Sequence, residues 1–312
     1  ISHERANWHY LLKLVRLWKV VHDIQPDILN AHFVSSYGIL GALIRPATCP
    51  FVIRVCGSDL FVFPRRSIFH AMGTRFALNR ADLIISVAEH MTELLSEYVA
   101  GDKPIMTQQY GVDIDRFHPP PYPTARSSVC LSNRAMVPVS NLESILLAAR
   151  KLEDQDSSIR IHLAGNGEQS TFLRRRATQL RLGNRISFLG SIHHDQMPEI
   201  LRSVSIYVSM SGSDGASLSL MEAMACGAFP VVSDIPANRE WIKDGINGYL
   251  VPLDSPDRLA EKLHDAWNHP GLREDAGKHN WSLIREKCDY RKNMAIIESA
   301  FLRLAGHPRD RR

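Results

Sequence analysis

The chain has 312 residues, of which 45% are apolar and 22% charged, and its net charge is +4. This composition excludes a disordered or fibrous protein, the length suits two domains better than one core, and no apolar run reaches the roughly 20 residues of a membrane-spanning helix. The positive charge is too small and too dispersed to indicate a nucleic-acid partner, but suits an anionic small ligand or an anionic membrane surface.

The elements follow in chain order. Trp8, Leu11, Leu12, Val15 and Trp18 recur at helical spacing and predict an amphipathic helix over roughly 5–23. Pro26 precedes a short apolar strand, Asp27 to Ala31; a helix is expected over Gly38 to Arg45 and a buried strand over Phe51 to Val55. Ile68–Asn79 reads as helix, Leu83–Val87 as strand, Glu89–Tyr98 as helix and Ile105–Gln109 as strand. This alternation with short loops calls for a parallel sheet covered on both faces.

Pro119, Pro120, Pro121 and Pro123 then interrupt the pattern and predict a stiff extended linker. Beyond it, strands are expected at Val129–Ser132, Ile159–Ala164, Ile186–Leu189, Ile206–Ser209 and Phe229–Ser233. The helices between them are Leu142–Leu152, Gln169–Leu182, Gln196–Leu201 and Leu218–Cys226, and three more close the chain: Pro256–Trp267, Arg273–Lys287 and Arg291–Ala305. The expected organisation is a first α/β domain over 1–118, a linker over 119–128, a second over 129–288, and a final helical segment over 289–312. The chain opens on Ile1 at a helical pattern, and the first domain is expected to lack upstream strands, leaving an apolar sheet edge and a chain without transfer activity of its own. Five widely spaced cysteines without a Cys-x-x-Cys pair read as core residues of a reducing, cytoplasmic compartment.

The densest chemistry lies between Ser211 and Gly227. A strand ends at Ser209, a loop follows with Gly212, Asp214, Gly215 and several hydroxyls, and a helix begins near Leu218. Glycines let the backbone approach a ligand, and the first-turn N–H groups with the helix dipole make an anion site, for which a phosphate ester is the natural occupant. Parallel sheets place ligands at the carboxyl ends of their strands, where this loop falls. Glu222, one turn into the helix, has two acceptor oxygens for a ribose, and Asp214 sits where it could hold sugar hydroxyls. The alternative is a capping cluster with Ser217 as N-cap, Asp214 at the positive helix end and Glu222 solvated.

This stretch, continuing through Pro230–Pro236, Glu240, Asp244–Gly248 and Leu250–Pro252, resembles the group 1 (family 4) glycosyltransferases. The resemblance implies a GT-B fold, α/β, with two Rossmann-like domains facing across a cleft, and transfer with retention of anomeric configuration. The family signature is two acidic residues separated by seven others. Here the pair is Asp214 and Glu222, the first one methylene shorter than the usual Glu. Arg134 resembles the arginine that neutralises the donor diphosphate, while Val139 stands where a lysine is common. Gly165 and Gly167 resemble the glycine loop, and Gly190 and Ile192 the segment beside the nucleobase. Gly215, Ser217, Leu218 and Ser219 complete the donor site, with the N–H groups around Leu218 and Ser219 on the diphosphate. In the first domain, His32 and Asp59 match acceptor-side positions, and Cys56 replaces a family histidine.

The resemblance implies a nucleotide diphosphate sugar as donor, a glycan or lipid-linked acceptor, no cofactor and no metal. The last helix is expected to cross back to the first domain, and a peripheral contact with the inner membrane surface is expected, for which the Arg174–Arg176 run is one candidate. Asp113-Ile114-Asp115 and Asp154-Gln155-Asp156 spell a metal-binding signature by chance, and His193-His194-Asp195 reads as a turn. Two alternatives stay open: a sugar-nucleotide epimerase of the same architecture, and a non-catalytic nucleotide-sugar-binding homologue.

Overall fold

The computed structural model describes residues 14–120, 127–154 and 158–306. The helical positions Trp8, Leu11 and Leu12, the prolines Pro121 and Pro123, and Gln155 and Asp156 of the second Asp-x-Asp lie outside them. Two compact units form: one from the chain up to Tyr110 together with Lys292 onward, the other from Gly111 to Arg291.

The first unit carries a four-stranded parallel sheet in the order β1 (Leu29–His32), β2 (Phe51–Val55), β3 (Leu83–Ser86), β4 (Ile105–Thr107). All five residues of β2 are buried, Arg54 among them, as a strand between covered faces requires. Helices Leu14–Ile24, Ile39–Ile44, Ile68–Arg80 and Glu89–Leu95 fall between or beside the strands. The final helix, Tyr290–Leu304, lays Ile297 and Ala300 onto Val52, Leu83 and Ile85.

The second unit carries six parallel strands, β5 (Ser127–Ser132), β6 (Arg160–Ala164), β7 (Ile186–Gly190), β8 (Val204–Ser209), β9 (Phe229–Ser233) and β10 (Tyr249–Val251), in the spatial order β10-β9-β8-β5-β6-β7. From β5 the chain winds outward through β6 to β7, then returns to the other side of β5 with β8. The topological switch point therefore lies between β5 and β8, where ligands of open α/β sheets bind. Helices Leu142–Asp154 and Pro256–Asn268 bury Ile145, Leu146, Leu259 and Leu263 on one face. Leu218–Ala225 and Met197–Ser203 bury Leu220, Met224 and Leu201 on the other.

The polypeptide enters and leaves this unit side by side. Val112 N–H donates to the Cys288 carbonyl at 2.6 Å, and Tyr290 N–H donates to the Val112 carbonyl at 2.9 Å. Phe117, at the head of the proline-rich run, is 1% exposed within the second unit's core. All five cysteines are thiols outside any disulfide, four of them buried. No helix among the described residues is long and apolar enough to cross a membrane.

Candidate functional site

The loops at the carboxyl ends of β5, β6, β7 and β8 converge on the switch point. Residues 133–137, after β5, carry Arg134. The glycines at 165 and 167 exist for this neighbour: a β-carbon on Gly165 would come within 2.6 Å of the Arg134 carbonyl oxygen, and one on Gly167 within 2.6 Å of the Met136 carbonyl carbon. Gly165 also has φ +135°, a conformation open mainly to glycine. Backbone bonds tie the loops into one surface. Met136 N–H donates to Asn166 O at 3.0 Å, Gln169 N–H to Met136 O at 2.9 Å, and Gly165 N–H to Gly190 O at 2.7 Å. Asn166 Nδ2 donates to Ser191 Oγ at 3.0 Å, beside the half-buried Ile192.

Arg134 reaches across the switch point. Its Nη2 lies 2.9 Å from Asp214 Oδ2, and its Nη1 donates to Ser219 Oγ at 3.2 Å. The side chains are 17% and 18% exposed, so the pair is shielded but reachable from solvent. Asp214 thus holds Arg134 in place instead of standing apart from it. Val139, where a lysine was the common alternative, is an exposed apolar side chain whose carbonyl accepts from Gly212 N–H at 2.8 Å.

The helix Leu218–Ala225 places Glu222 inward. Glu222 is 6% exposed, which excludes the solvated-charge reading. Burial pushes its carboxyl above the ordinary value, while a hydrogen bond to His194 pulls the other way. Ser217 is buried and makes no side-chain cap bond, so the capping alternative also fails at that residue. One expectation needs correction: Leu218 N–H donates to the Ala216 carbonyl at 2.9 Å and is not free for a phosphate. The loop turns tightly ahead of the helix and uses that donor internally.

Two residues not anticipated from sequence join the cluster. Tyr207, on β8, is fully buried in the field of Arg134, Asp214 and Glu222; burial pushes its phenol above the ordinary value and Arg134 opposes this. His194 Nε2 lies 3.0 Å from Glu222 Oε1. The signal available for Tyr207 was a polar ring on a strand leading straight into the loop; for His194 it was its position just past β7.

In the first unit, His32 at the end of β1 stacks on Tyr110, whose hydroxyl lies 2.9 Å from His32 Nδ1. Partial burial and the nearby Arg54 hold this imidazole below its ordinary value. Arg54 is itself 2% exposed, donates to Gln108 O at 2.7 Å and lies 3.5 Å over the Tyr110 ring. Phe33 follows His32 with φ +72°, strain of the kind that collects at functional loops. Asp59 is 3% exposed and fully engaged. One oxygen accepts from Val34 N–H at 2.9 Å, the other from Cys56 and Gly57 N–H at 3.1 and 2.8 Å. It clamps the loop after β2 instead of offering a carboxylate to an acceptor. Cys56 is half-buried, its thiol pushed up to about 11 by burial.

The remaining motifs are occupied in other ways. Asp115 pairs with Arg291 at 2.6 Å, and Asp113 Oδ1 accepts from Asp115 N–H, so that triplet is a turn. Arg176 pairs with Glu143 at 2.8 Å, and Arg174 lies 4.7 Å over the Phe188 ring. Glu240 is exposed. Among the described residues no group of three or more His, Cys, Asp or Glu is placed to hold a metal ion.

Comparison with known proteins places this arrangement. Residues 118–280 match the model of glycosyl transferases group 1, and residues 2–88 match that of glycosyl transferase 4-like proteins. An uncharacterized glycosyltransferase of Methanocaldococcus jannaschii is 24% identical over 89% of this chain and 78% of its own length. The phosphatidyl-myo-inositol mannosyltransferase of Mycobacterium tuberculosis is 31% identical over 50% of this chain, a match that spans 42% of that enzyme's length. The crystal structure of Anabaena HepE in complex with UDP-glucose superposes with a TM-score of 0.78 at 19% identity, covering 92% of this chain and 81% of that one.

Proposed function

This chain belongs to the glycosyl transferases group 1 family and has the GT-B fold, and from that premise we propose that it moves a sugar from a nucleoside diphosphate sugar to a hydroxyl of a glycan or lipid-linked acceptor, with retention. The observation that carries the reading is the half-buried constellation at the switch point: Arg134 bridging Asp214 and Ser219, with the buried Glu222 one turn further along the helix.

In this reading the donor diphosphate lies at Arg134, whose planar fork suits two phosphate oxygens. Ser219 supplies a hydroxyl beside it. Glu222 takes the ribose hydroxyls, and the glycine loops at 165 and 190 let the nucleotide approach the backbone. Asp214 holds Arg134 aligned and meets the transferred sugar. The bond between the anomeric carbon and the diphosphate oxygen breaks while the acceptor oxygen bonds to the same face of that carbon. The acceptor proton passes to the departing diphosphate. Catalysis rests on stabilising the charge that develops on this leaving group. A relative named for phosphatidyl-myo-inositol and a neighbour solved with UDP-glucose support a lipid-linked acceptor and a nucleotide-sugar donor. The work would be done at the cytoplasmic face of the membrane.

Glu222→Gln tests the reading. It removes charge-assisted bonds to ribose and should weaken nucleotide binding by about 1.5–3 kcal/mol, roughly ten- to a hundredfold in Kd. Calorimetric titration with UDP, GDP and ADP measures this, and unchanged affinity in a folded variant removes Glu222 from the site. Because Arg134 supplies the cationic charge, transfer should also persist in excess EDTA. Loss of transfer with EDTA and its recovery on adding Mn²⁺ would show that a metal carries the diphosphate instead.

A further inference from the structure

Glu222 is not alone beneath the proposed ribose. His194, on the loop after β7, places Nε2 3.0 Å from Glu222 Oε1. The carboxylate is 8% exposed and the imidazole 59% exposed, so the ring lies between the buried acid and solvent. The ring is held from behind as well. Phe117, fully buried, packs against it with ring centroids 5.3 Å apart. Arg116 Nη2 donates to the His194 carbonyl at 3.5 Å and to Asp195 Oδ1 at 2.5 Å, which fixes the loop. The imidazole meets Oε1, one of the two oxygens of this carboxylate.

A glutamate side chain rotates readily about its last torsion, and a carboxylate that must meet two vicinal hydroxyls gains from having its plane set beforehand. Donation from Nε2 to Oε1 sets that plane. It leaves Oε2, and the second lone pair of Oε1, for a ligand. We infer that His194 is a positioning residue of the nucleotide site: it orients the Glu222 carboxylate so that both ribose hydroxyls are bound together. The inference rests on the reading of Glu222 as the ribose-binding group.

The test compares ribonucleotides with analogues lacking both hydroxyls. UDP, GDP and ADP are titrated against the chain, and the tightest is compared with its 2′,3′-dideoxy counterpart. The native chain should prefer the ribonucleotide by roughly tenfold or more. His194→Ala should bring the two affinities to within about threefold of each other, chiefly by weakening the ribonucleotide. His194→Gln, whose amide can donate to Oε1, should keep most of the preference. A merely structural histidine would lower the melting temperature and weaken both ligands alike, leaving their ratio unchanged. If His194→Ala keeps the full preference while Glu222→Gln abolishes it, the positioning role is wrong and the ribose reading stands. If no nucleotide binds, or Glu222→Gln leaves the preference intact, the ribose reading falls and this inference falls with it.

Discussion

Replacing Arg134 by alanine is expected to lower sugar transfer by roughly 10²–10³-fold, the effect typical of removing one preorganised donor from a developing anion. The arginine is shielded from water, so its charge is little screened, and it spans the gap between the loops after β5 and β8. Its loss has a second consequence. Asp214 would remain, 18% exposed and without its 2.9 Å partner, beside an incoming diphosphate. That repulsion predicts non-additivity: Asp214→Asn should recover part of the binding lost in Arg134→Ala, although it weakens the otherwise native chain. Arg134→Lys keeps the charge but not the fork and should fall in between. Initial rates of transfer, with nucleotide affinities for the four members of the cycle, measure this. Full activity in a folded Arg134→Ala variant would displace the leaving group from the switch point.

Gly167→Ala is expected to produce the larger loss of stability. Its β-carbon would meet the Met136 backbone, which is itself bonded to Asn166 and Gln169 and has no flexible side chain to move aside. Overpacking of this kind costs about 1–3 kcal/mol. For a unit of this size that lowers its thermal transition by roughly 2–12 °C. Met136 sits two residues beyond Arg134, so nucleotide affinity should fall as well. Gly183→Ala is the control: its φ is +49° and nothing lies within 4 Å of a new β-carbon, so only the backbone preference is lost. Scanning calorimetry of both variants decides the matter, and equal shifts would mean that the tight approach at Gly167 is relieved by loop movement.

Much of this fold was legible because its central strands are buried on both faces. Phe51–Val55 and Phe229–Ser233 are mostly apolar runs, the first interrupted by Arg54 and the second closed by Ser233, and both became strands at those limits. Elements of one turn or less carry no periodicity. The π-helical turn Val34–Gly38, the short helix Ser58–Phe61 and the three-residue edge strand β10 went unread for that reason. The helix expected to reach Leu182 ends at Gln179, because Arg181 turns to φ +54°.

The site divides along similar lines. Arg134, Asp214 and Glu222 could be named from their motif, but their mutual arrangement could not. The Arg134–Ser219 bond joins positions 85 residues apart and the His194–Glu222 bond positions 28 apart, distances over which a linear pattern says nothing of contact. In the sequence His193-His194-Asp195 reads as a turn, since the side chains of adjacent histidines point in different directions. That argument weighs against a shared metal and is silent about one ring meeting a buried acid. Asp59 shows the reverse case, a conspicuous acidic residue in a glycine loop whose oxygens are consumed by the loop itself.

The side-by-side passage of Val112 and Cys288–Tyr290 makes the second unit an insertion within the first. During synthesis the whole of that insertion, through Arg291, emerges before the helix that supplies Ile297 and Ala300 to the first unit's core. The inserted unit can therefore close on the ribosome while β2 and β3 still lack part of their cover, so the unit begun earlier in the chain is the later one to be completed. Truncations that remove the final helix should accordingly expose Val52, Leu83 and Ile85 and leave the nucleotide-side unit intact, a pattern that limited proteolysis would reveal.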